Sequence, residues 1–486
     1  MVIKLTDKLK QQPRRLIFSL ILSLFWVIFL WNFWDKDVYV LGLNAFVFLG
    51  LLLVFFNTIL AEKKLLTKSN LTWLIPLVLI ISSFAVYDNL FIKPFNILVL
   101  PVLATIFINY SFLKDHQKKY WDLSFFFTLL FRIFAPFTRL KKSAQAHNQI
   151  IKLHQGPASV LKKVILGLAI FILLAMLVII PLLSSADPEF AQKLGEAYQW
   201  LAEILSTTLL VKILFFYVLS VFLYAIFLAW QKPIDIKDKE RTDKKMDSII
   251  SGIVVGGILL LYLLFLWLQL ERLWVSGLPT DFKGVEVLVK SGFWQLIFLS
   301  MINIIILFFT YKKTNKFVQG ILIFFTLASL LLLFSAGYRM LLYVIFYGLS
   351  YEKFFASYTV LYCAILFVYL IIKIAAQSRL NIIKFILFLF LWMYGVINIM
   401  PVEQIILRSN IELAKNEYSR INLYESRILS PDVLSYIEKN NSHDFMKVNH
   451  RDDQAVDWSQ WIEQNKNIIR NKKWYELNLN NIFYKL

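Results

Sequence analysis

Polar side chains that could do chemistry are concentrated in one apolar stretch, RMLLYVIFYGLSYEKFFASYTVLY, which begins at Arg339. A guanidinium such as Arg339 can bind phosphate, and a carboxylate such as Glu352 can act as a base. Arg339, Tyr343 and Tyr347 are spaced by four residues, so they share one face of a helix. The stretch is open to three interpretations: a functional site, a belt of interfacial tyrosines, or a turn between two helices.

The length of the apolar run favours the turn. An unbroken helix from Phe317 to Gly348 would be about 48 Å long, whereas the hydrocarbon core of a bilayer is about 30 Å thick. We therefore predict that the helix bends or ends near residues 335–337, at the outer surface. Gly348 permits a turn, and Ser350 is a good N-cap for the next helix.

Other polar residues fall on the same predicted side of the membrane. The candidate outer-face cluster comprises Asp187, Glu271, Arg272, Arg339, Tyr343, Tyr347 and Glu352. In one interpretation these residues form an extracytoplasmic cleft, and in the other they are a solvated rim. An ion pair between Arg339 and Glu352 across the turn is the structural interpretation of that pair.

Two amides, Asn96 and Asn303, are candidate polar residues within the membrane. Asn96 lies between Pro94 and Pro101, and a helix interrupted by prolines can expose backbone groups to a ligand. Hydrogen bonding between helices is the simpler interpretation of both amides. No Asp or Glu falls in the middle of a predicted span, which argues against coupling to protons or sodium ions.

The sequence contains no pattern that assigns catalysis. Cys363 is the only cysteine, and the five histidines have no zinc-type spacing,. Phosphate-binding glycine loops, dinucleotide motifs and nucleophile elbows are absent from the sequence. We therefore assign no catalytic residue, no metal ligand and no cofactor.

The composition indicates a multi-pass membrane protein. Of 486 residues 59% are hydrophobic and only 17% are charged, against about 25% charged residues in soluble domains. Several uncharged runs reach the length of roughly 20 residues that a membrane helix needs. The fold class is therefore all-α, a polytopic bundle of about eleven spans (residues 1–400) with interfacial amphipathic helices and a short helical polar tail (residues 401–486). The predicted spans are 15–34, 39–60, 71–88, 92–113, 161–184, 208–230, 248–270, 292–311, 317–336, 356–375 and 381–400.

The positive charge follows the predicted topology. The net charge is +19, yet the tail after residue 400 carries 12 basic and 12 acidic residues. The excess lies in alternate loops of the membrane part, as the positive-inside rule requires. This pattern predicts a cytoplasmic N-terminus and an extracytoplasmic tail, and it removes the argument for nucleic-acid binding.

Two loops and the tail have amphipathic character. Residues 122–139 place Ser124, Thr128, Arg132 and Pro136 in one polar stripe. This predicts a helix that lies in the cytoplasmic interface or packs under the bundle. Residues 186–205 predict a short helix on the outer leaflet. In the tail, SPDVLSYIEKN begins with a cap and a proline, and the last 34 residues, from Asp453, are expected to dock on the membrane domain or on lipid head groups.

Four segments, in order, carry a family resemblance: LLSSADPEFAQKL (182–194), SGFWQLIFLSMINIIIL (291–307), the stretch from Arg339, and INIMPVEQIILRSNIELAKNEYSRINLYESRILSPDVLSYIEK (397–439). They resemble an uncharacterised family of bacterial multi-pass membrane proteins, the domain-of-unknown-function group DUF4153/DUF4173. The resemblance implies a polytopic architecture and a location in the bacterial envelope, and it supplies no reaction.

Three functions are compatible with these features. The favoured one is a non-enzymatic scaffold, or a sensor or regulatory partner, that contacts membrane lipids and other envelope proteins. The first alternative is a transporter or lipid flippase. The second is a membrane enzyme acting on a lipid-linked substrate at the outer face, with Arg339 on the phosphate and Glu352 or Asp187 as the base.

Overall fold

In the computed structural model, every regular element of the described residues is a helix, so the predicted all-α class is confirmed. The described residues are 2–33, 40–62, 68–112, 123–153, 193, 207–230, 246–273, 282–311, 313–377, 381–415, 421, 423–439 and 458–485. The helices are α1 Val2–Phe25, α2 Leu43–Glu62, α3 Lys68–Val86, α4 Ile92–Phe112, α5 Leu123–Leu153, α6 Thr207–Trp230, α7 Ser248–Leu273, α8 Phe282–Thr310, α9 Lys316–Tyr347, α10 Tyr351–Ala375, α11 Ile382–Ile399, α12 Val402–Ala414, α13 Leu434–Lys439 and α14 Trp458–Asn471. A π-helical turn, Trp26–Leu30, extends α1, and short 3-10 turns connect the helices after α12.

Among the described residues, eight helices are long and apolar enough to cross a membrane. Two shorter apolar helices, Leu43–Thr58 and Asn70–Val86, correspond to the predicted second and third spans. The predicted span 161–184 and the predicted outer helix 186–205 lie outside the described residues, so the count of eleven spans stays a prediction. Helix α7 illustrates the membrane character, because Ile249, Ile253 and Trp267 are largely exposed and only a lipid environment suits such a surface.

Contacts divide the chain into two compact units. The first comprises Met1–Asp37, Val47–Leu65 and Phe126–Ile234, and the second comprises Val38–Phe46, Leu66–Phe125 and Asp235–Leu486. The polar tail therefore belongs to the second unit, together with α3, α4 and α7 to α11. The predicted boundary between a membrane domain and a separate tail at residue 400 stays a prediction.

In the first unit, the polar stripe predicted on α5 packs against α6. Arg132 is buried and its Nη2 donates to the main-chain oxygen of Trp230 at 3.1 Å. Further along the same face, Ser143 Oγ donates to the oxygen of Val221 at 2.6 Å. His147 Nε2 lies 2.8 Å from Ser220 Oγ. Phe131, Phe134 and Phe137 of α5 are exposed, so Arg132 of the predicted stripe is buried while apolar side chains face outward. The side chain of Ser124 lies outside the described residues.

In the second unit, α9 is the central helix and contacts α7, α8 and α10. Its buried face carries Leu322, Phe325 and Leu332, which form one apolar cluster with Phe367 of α10. Helix α3 packs along α11, where Gly395 allows close approach: a Cβ there would lie 3.0 Å from Pro76. Small residues at such crossings let membrane helices gain dispersion contacts.

Helix α9 differs from the prediction at its outer end. It spans 32 residues and continues to Tyr347, so the expectation that it ends near residues 335–337 is wrong. The helix persists because Ser335, Ala336, Met340 and Tyr343 remain buried on its packed face, and burial there stabilises the additional turns. The predicted turn is confirmed, since Gly348 has a positive φ of 74° and Ser350 caps α10 by accepting from the Lys353 N–H.

Candidate functional site

The structure describes part of the candidate outer-face cluster. Arg339, Tyr343 and Tyr347 lie on the last turns of α9, and Glu352 lies exposed in the first turn of α10. Asp187 lies outside the described residues. Glu271 and Arg272 end α7, but their side chains are also outside the described part. The prediction that all seven residues form one cluster therefore remains untested.

At the α9–α10 turn, the cation that closes the loop is Lys353. Its Nζ donates to the oxygens of Tyr347 and Gly348, at 3.1 and 2.6 Å, and lies 4.3 Å from the centre of the Tyr343 ring. The side-chain amide of Asn410, in α12, forms two hydrogen bonds with Leu349 in the same turn. It accepts from the Leu349 N–H and donates to the Leu349 main-chain oxygen. The turn is therefore a docking point for the segment after α11.

A buried charge network lies beside this docking point, and it is the candidate site. Asp88, in the loop between α3 and α4, is fully buried and forms two ion pairs: Lys93 Nζ lies 3.2 Å from Oδ1, and Lys472 Nζ lies 2.6 Å from Oδ2. Asn481 Nδ2 donates to the same Oδ2 at 2.7 Å. Lys93 also donates to the main-chain oxygen of Leu41. The network thus joins the α3–α4 loop to a segment almost 400 residues later in the chain.

Asp432 reaches the other side of the same loop. Its Oδ2 accepts from the main-chain N–H groups of Asp88, at 2.6 Å, and Asn89, at 3.0 Å. Asn480 donates to Oδ1 and to the main-chain oxygen of Asp432, and Gln404 donates to that oxygen at 3.0 Å. The predicted cap is confirmed, since Ser430 Oγ accepts from the Asp432 N–H. These hydrogen bonds attach Asp432 to the loop that precedes α4.

Glu403, in the first turn of α12, is the third buried carboxylate. Its Oε2 accepts from the Ser430 N–H at 2.9 Å and from the Ser430 hydroxyl. Its Oε1 accepts from the hydroxyl of Tyr351, the first residue of α10. Ser430 therefore links Glu403 to Asp432, and one hydrogen-bonded system extends from α10 to the C-terminal segment.

Main-chain hydrogen bonds reinforce this attachment. The Leu43 N–H, at the start of α2, donates to the Leu477 oxygen at 3.0 Å, and the Leu479 N–H donates to the Ala85 oxygen at 2.7 Å. Gly42 lies so close to the main chain of Glu476 and Leu477 that a Cβ would overlap their oxygens. The expectation that the last segment docks on the membrane domain is confirmed within this unit.

The electrostatics of the network follow from burial and charge count. Burial raises the pKa of Glu403 to about 7, and the charge of Asp432 acts in the same direction. Burial also raises the pKa of Asp432 to about 6, with a further increase from Asp88. Burial alone would raise the pKa of Asp88 too, but the ammonium groups of Lys93 and Lys472 outweigh it and hold that pKa below its ordinary value. Burial also disfavours the charged form of Lys93, against the opposing charge of Asp88. Of the three carboxyl groups and two amines in the network, the Glu403–Asp432 pair is the part whose protonation changes closest to neutrality.

We expect the docking of the C-terminal segment to weaken as pH rises from about 4 to 7, between the ordinary and the folded-state pKa values of Glu403 and Asp432. The pKa values of Glu403 and Asp432 are raised in the folded state, so the folded state binds more protons in this window and loses stability as they dissociate. Hydrogen exchange of α14, corrected for the intrinsic rate, should show up to about tenfold faster opening per pH unit. In Glu403→Gln this dependence should be flatter, and an equal slope in both proteins would contradict the assignment.

The amides within the membrane form hydrogen bonds between helices. Asn96 Nδ2 donates to Asn398 Oδ1 at 2.6 Å, and the Tyr394 hydroxyl donates to Asn96 Oδ1 at 2.7 Å. Asn303 accepts from the Tyr262 hydroxyl at 2.7 Å and donates to Ser329 Oγ at 2.8 Å. These contacts agree with the interpretation that both asparagines form hydrogen bonds between helices. Asn96 joins α4 to α11, and Asn303 joins α8 to α7 and α9.

Replacing Asn303 by leucine should cost about 1–2 kcal/mol, because Tyr262 and Ser329 would lose their partner in an apolar setting. The measurement is the thermal stability of the purified protein in mild detergent. The matched control is Met301→Leu, a largely exposed position on the same helix, where we expect no measurable change. Equal stability of the two variants would show that the asparagine contributes nothing to packing.

Sequence reasoning missed the five charged residues of the network: Asp88, Lys93, Glu403, Asp432 and Lys472. A signal was present, because Asp88 and Lys93 close one predicted span and open the next, where an aspartate five residues before a lysine can form an ion pair. Asp432 belongs to a Ser-Pro-Asp pattern that is typical of a helix start, and this pattern alone accounts for an aspartate there. Nothing in the local sequence connects Lys472 with Asp88, since that pair depends on how the tail folds back.

Comparison with known families decides where this chain belongs. Residues 74–440 match the family described as a domain of unknown function, DUF4153. The chain is a member of the DUF4153 family. The match includes Asp88, Lys93, Glu403 and Asp432, whereas Lys472 and Asn481 lie beyond it. No curated protein and no solved structure matches the chain significantly.

Proposed function

We propose that this DUF4153 member, an integral membrane protein, is a non-enzymatic sensor or regulatory partner of the bacterial cell envelope. The observation that carries the proposal is the buried, proton-linked network through which α12 to α14 dock on the α3–α4 loop. Docking then responds to the protonation of the Glu403–Asp432 pair and changes the surface that the tail presents to lipids and other envelope proteins. Neither nucleic acid nor a cofactor is part of the proposal.

The geometry favours a switch over catalysis. Both carboxylates are saturated by donors, and the cavity beside Glu403, Asp432 and Tyr87 has a volume of about 10 Å³, room for at most one water. General acid–base work needs a group within hydrogen-bond reach of a reacting atom, which such a space cannot hold. The favoured chemistry is proton binding coupled to docking.

The test compares partner recovery with the docked and the released tail. The full chain is purified in mild detergent from membranes at pH 5.5 and pH 8, as wild type and as Glu403→Gln. We expect an envelope protein whose recovery changes with pH in the wild type and changes less with pH in the variant. Recovery of the protein alone under all four conditions would overturn the regulatory proposal.

The location proposed for the tail is the extracytoplasmic side of the inner membrane, with the N-terminus in the cytoplasm. In a Cys363→Ala background, Gln464→Cys on exposed α14 should react with a membrane-impermeant maleimide in intact spheroplasts. Lys316→Cys, exposed at the start of α9, should react only after permeabilisation. The reverse pattern would invert the topology.

Transport remains the alternative that one observation favours. Hydrogen bonds join Ser83, Asn96, Tyr394 and Asn398 in a polar row within the apolar helices, and Lys93 lines the same small cavity as part of this row. A transporter would carry solute along this row, and Asn96→Leu would abolish flux in proteoliposomes. An identical flux in the variant, or none in the wild type across a panel of solutes, would reject this function.

A further inference from the structure

A polar groove lies on the surface of the tail, next to the buried network, with which it shares Gln404 and Asn480. Two adjoining depressions, of about 690 and 660 Å³, share Ser435, Leu479 and Asn480 and therefore form one continuous groove. The first is lined by Val86, Tyr87, Gln404, Ser435, Tyr436, Lys439, Leu479 and Asn480. The second is lined by Ser435, Glu438, Lys466, Arg470, Leu479, Asn480, Phe483 and Tyr484. The size of each depression suits a head group with part of its attached chain.

One end of the groove lies at the level where membrane helices end. Val86 is the last residue of α3, and the Leu479 N–H donates to the oxygen of the neighbouring Ala85. Leu479 and Phe483 line the groove and are 53% and 78% exposed. Large apolar side chains at this depth suit the glycerol and upper acyl region of a lipid, where aromatic residues concentrate.

The lining is positively charged. The charged residues of the lining are three cations, Lys439, Lys466 and Arg470, and one carboxylate, Glu438. Glu438 lies 2.6 Å from Lys466 Nζ. Arg470 pairs with Glu463 at 3.2 Å, and both groups of that pair are more than half exposed, so the pairing is weak. Lys439 forms no ion pair with any residue that the structure describes. Ser435 and Asn480 line both parts of the groove.

We propose that this groove binds the phosphate-bearing head group of an anionic membrane lipid. Lys439 and Arg470 attract the phosphate, and the Ser435 hydroxyl, whose contact with Asn480 Oδ1 is a long 3.5 Å, donates a hydrogen bond to one of its oxygens. Leu479 and Phe483 contact the start of the acyl chains. Each basic group near a lipid phosphate contributes about fivefold to affinity. The site goes beyond the proposed regulatory function and does not depend on the protonation of Glu403 or Asp432.

The test is native mass spectrometry of the full chain in mild detergent with added phosphatidylglycerol or phosphatidylcholine. We expect at least tenfold more phosphatidylglycerol adduct, and roughly a 25-fold loss in Lys439→Ala/Arg470→Ala. The matched control, Arg408→Ala/Lys415→Ala, removes the same two residue types from exposed positions in α12 and directly after it and should bind as the wild type does. Competition by millimolar inorganic phosphate would identify free phosphate as the source of the ligand, whereas persistence of the adduct would identify the lipid.

Hydrogen exchange of α14 keeps this test separate from the docking of the tail. If the double variant loses hydrogen-exchange protection of α14, the single variant Lys439→Glu is used instead. Lys439 is the exposed last residue of α13, and this variant should also reduce phosphatidylglycerol binding. Equal binding of the two lipids, or equal loss in the groove and control variants, would overturn the lipid site. Neither result would affect the pH dependence on which the regulatory proposal rests.

Discussion

Replacing Asp88 by asparagine should release the C-terminal segment from the membrane helices. The substitution leaves the ammonium groups of Lys93 and Lys472 buried around a neutral amide, and removing one partner of a buried ion pair costs about 3–5 kcal/mol. The carboxylate is fully buried between both cations, so solvent cannot compensate. Hydrogen exchange of α14 should accelerate more than a hundredfold, since each 1.4 kcal/mol corresponds to a factor of about ten.

The matched control for Asp88→Asn is Glu412→Gln on α12. Glu412 also forms an ion pair, with its Oε1 2.9 Å from Lys415 Nζ, but both side chains are more than half exposed. Exposed pairs contribute less than about 1 kcal/mol, so exchange of α14 should change by less than about fivefold. Similar exchange in the two variants would mean that the buried network does not hold the segment.

The second large effect is expected for Gly42→Ala. Gly42 precedes α2 and accommodates the main chain of Glu476 and Leu477, where a methyl group would overlap two carbonyl oxygens. Backbone atoms cannot rotate away as a side chain can, so the 476–477 segment must move and lose its hydrogen bond to the Leu43 N–H. Overpacking of this kind costs about 1–3 kcal/mol, and here it should appear as faster exchange at Leu43 and Leu479.

Gly50→Ala, on the same helix, provides the control for Gly42→Ala. A Cβ at Gly50 would meet nothing within 4 Å, and alanine is the better helix former by about 1 kcal/mol. We therefore expect Gly50→Ala to be neutral or slightly stabilising in thermal denaturation. A loss of stability at both glycines would indicate a general intolerance of α2 rather than a close contact at Gly42.

Sequence reasoning correctly predicted the features that depend on local physics. Apolar runs predicted ten helices in the described residues, because burial in lipid requires about 20 apolar residues in each span. Gly348 and Ser350 predicted the α9–α10 turn, since a positive φ and an N-cap have specific residue requirements. It erred on the outer end of α9, where packing of Met340 and Tyr343 extends the helix beyond the length that the bilayer alone suggests.

The candidate site could not be predicted in the same way. The sequence singled out Arg339 and Glu352 because they are charged residues in an apolar stretch, but Lys353 and Tyr351 make the contacts described at that turn. Asp88, Glu403 and Asp432 looked like ordinary residues at span ends and caps. Their significance depends on burial and on partners that lie tens to hundreds of residues away, and no local pattern encodes either property.

By itself, the sequence therefore determined the environment of this protein: helices in a membrane, a polar tail and membership of an uncharacterised family. Each of those properties depends on the average character of many residues, so a wrong interpretation of one position does not change the prediction. Only the tertiary structure decided that the tail folds back and places Lys472 and Asn481 on Asp88. The physical reason is that a buried charge is stable only beside its partner, and which partner arrives is settled by the packing of α12 to α14 against the α3–α4 loop.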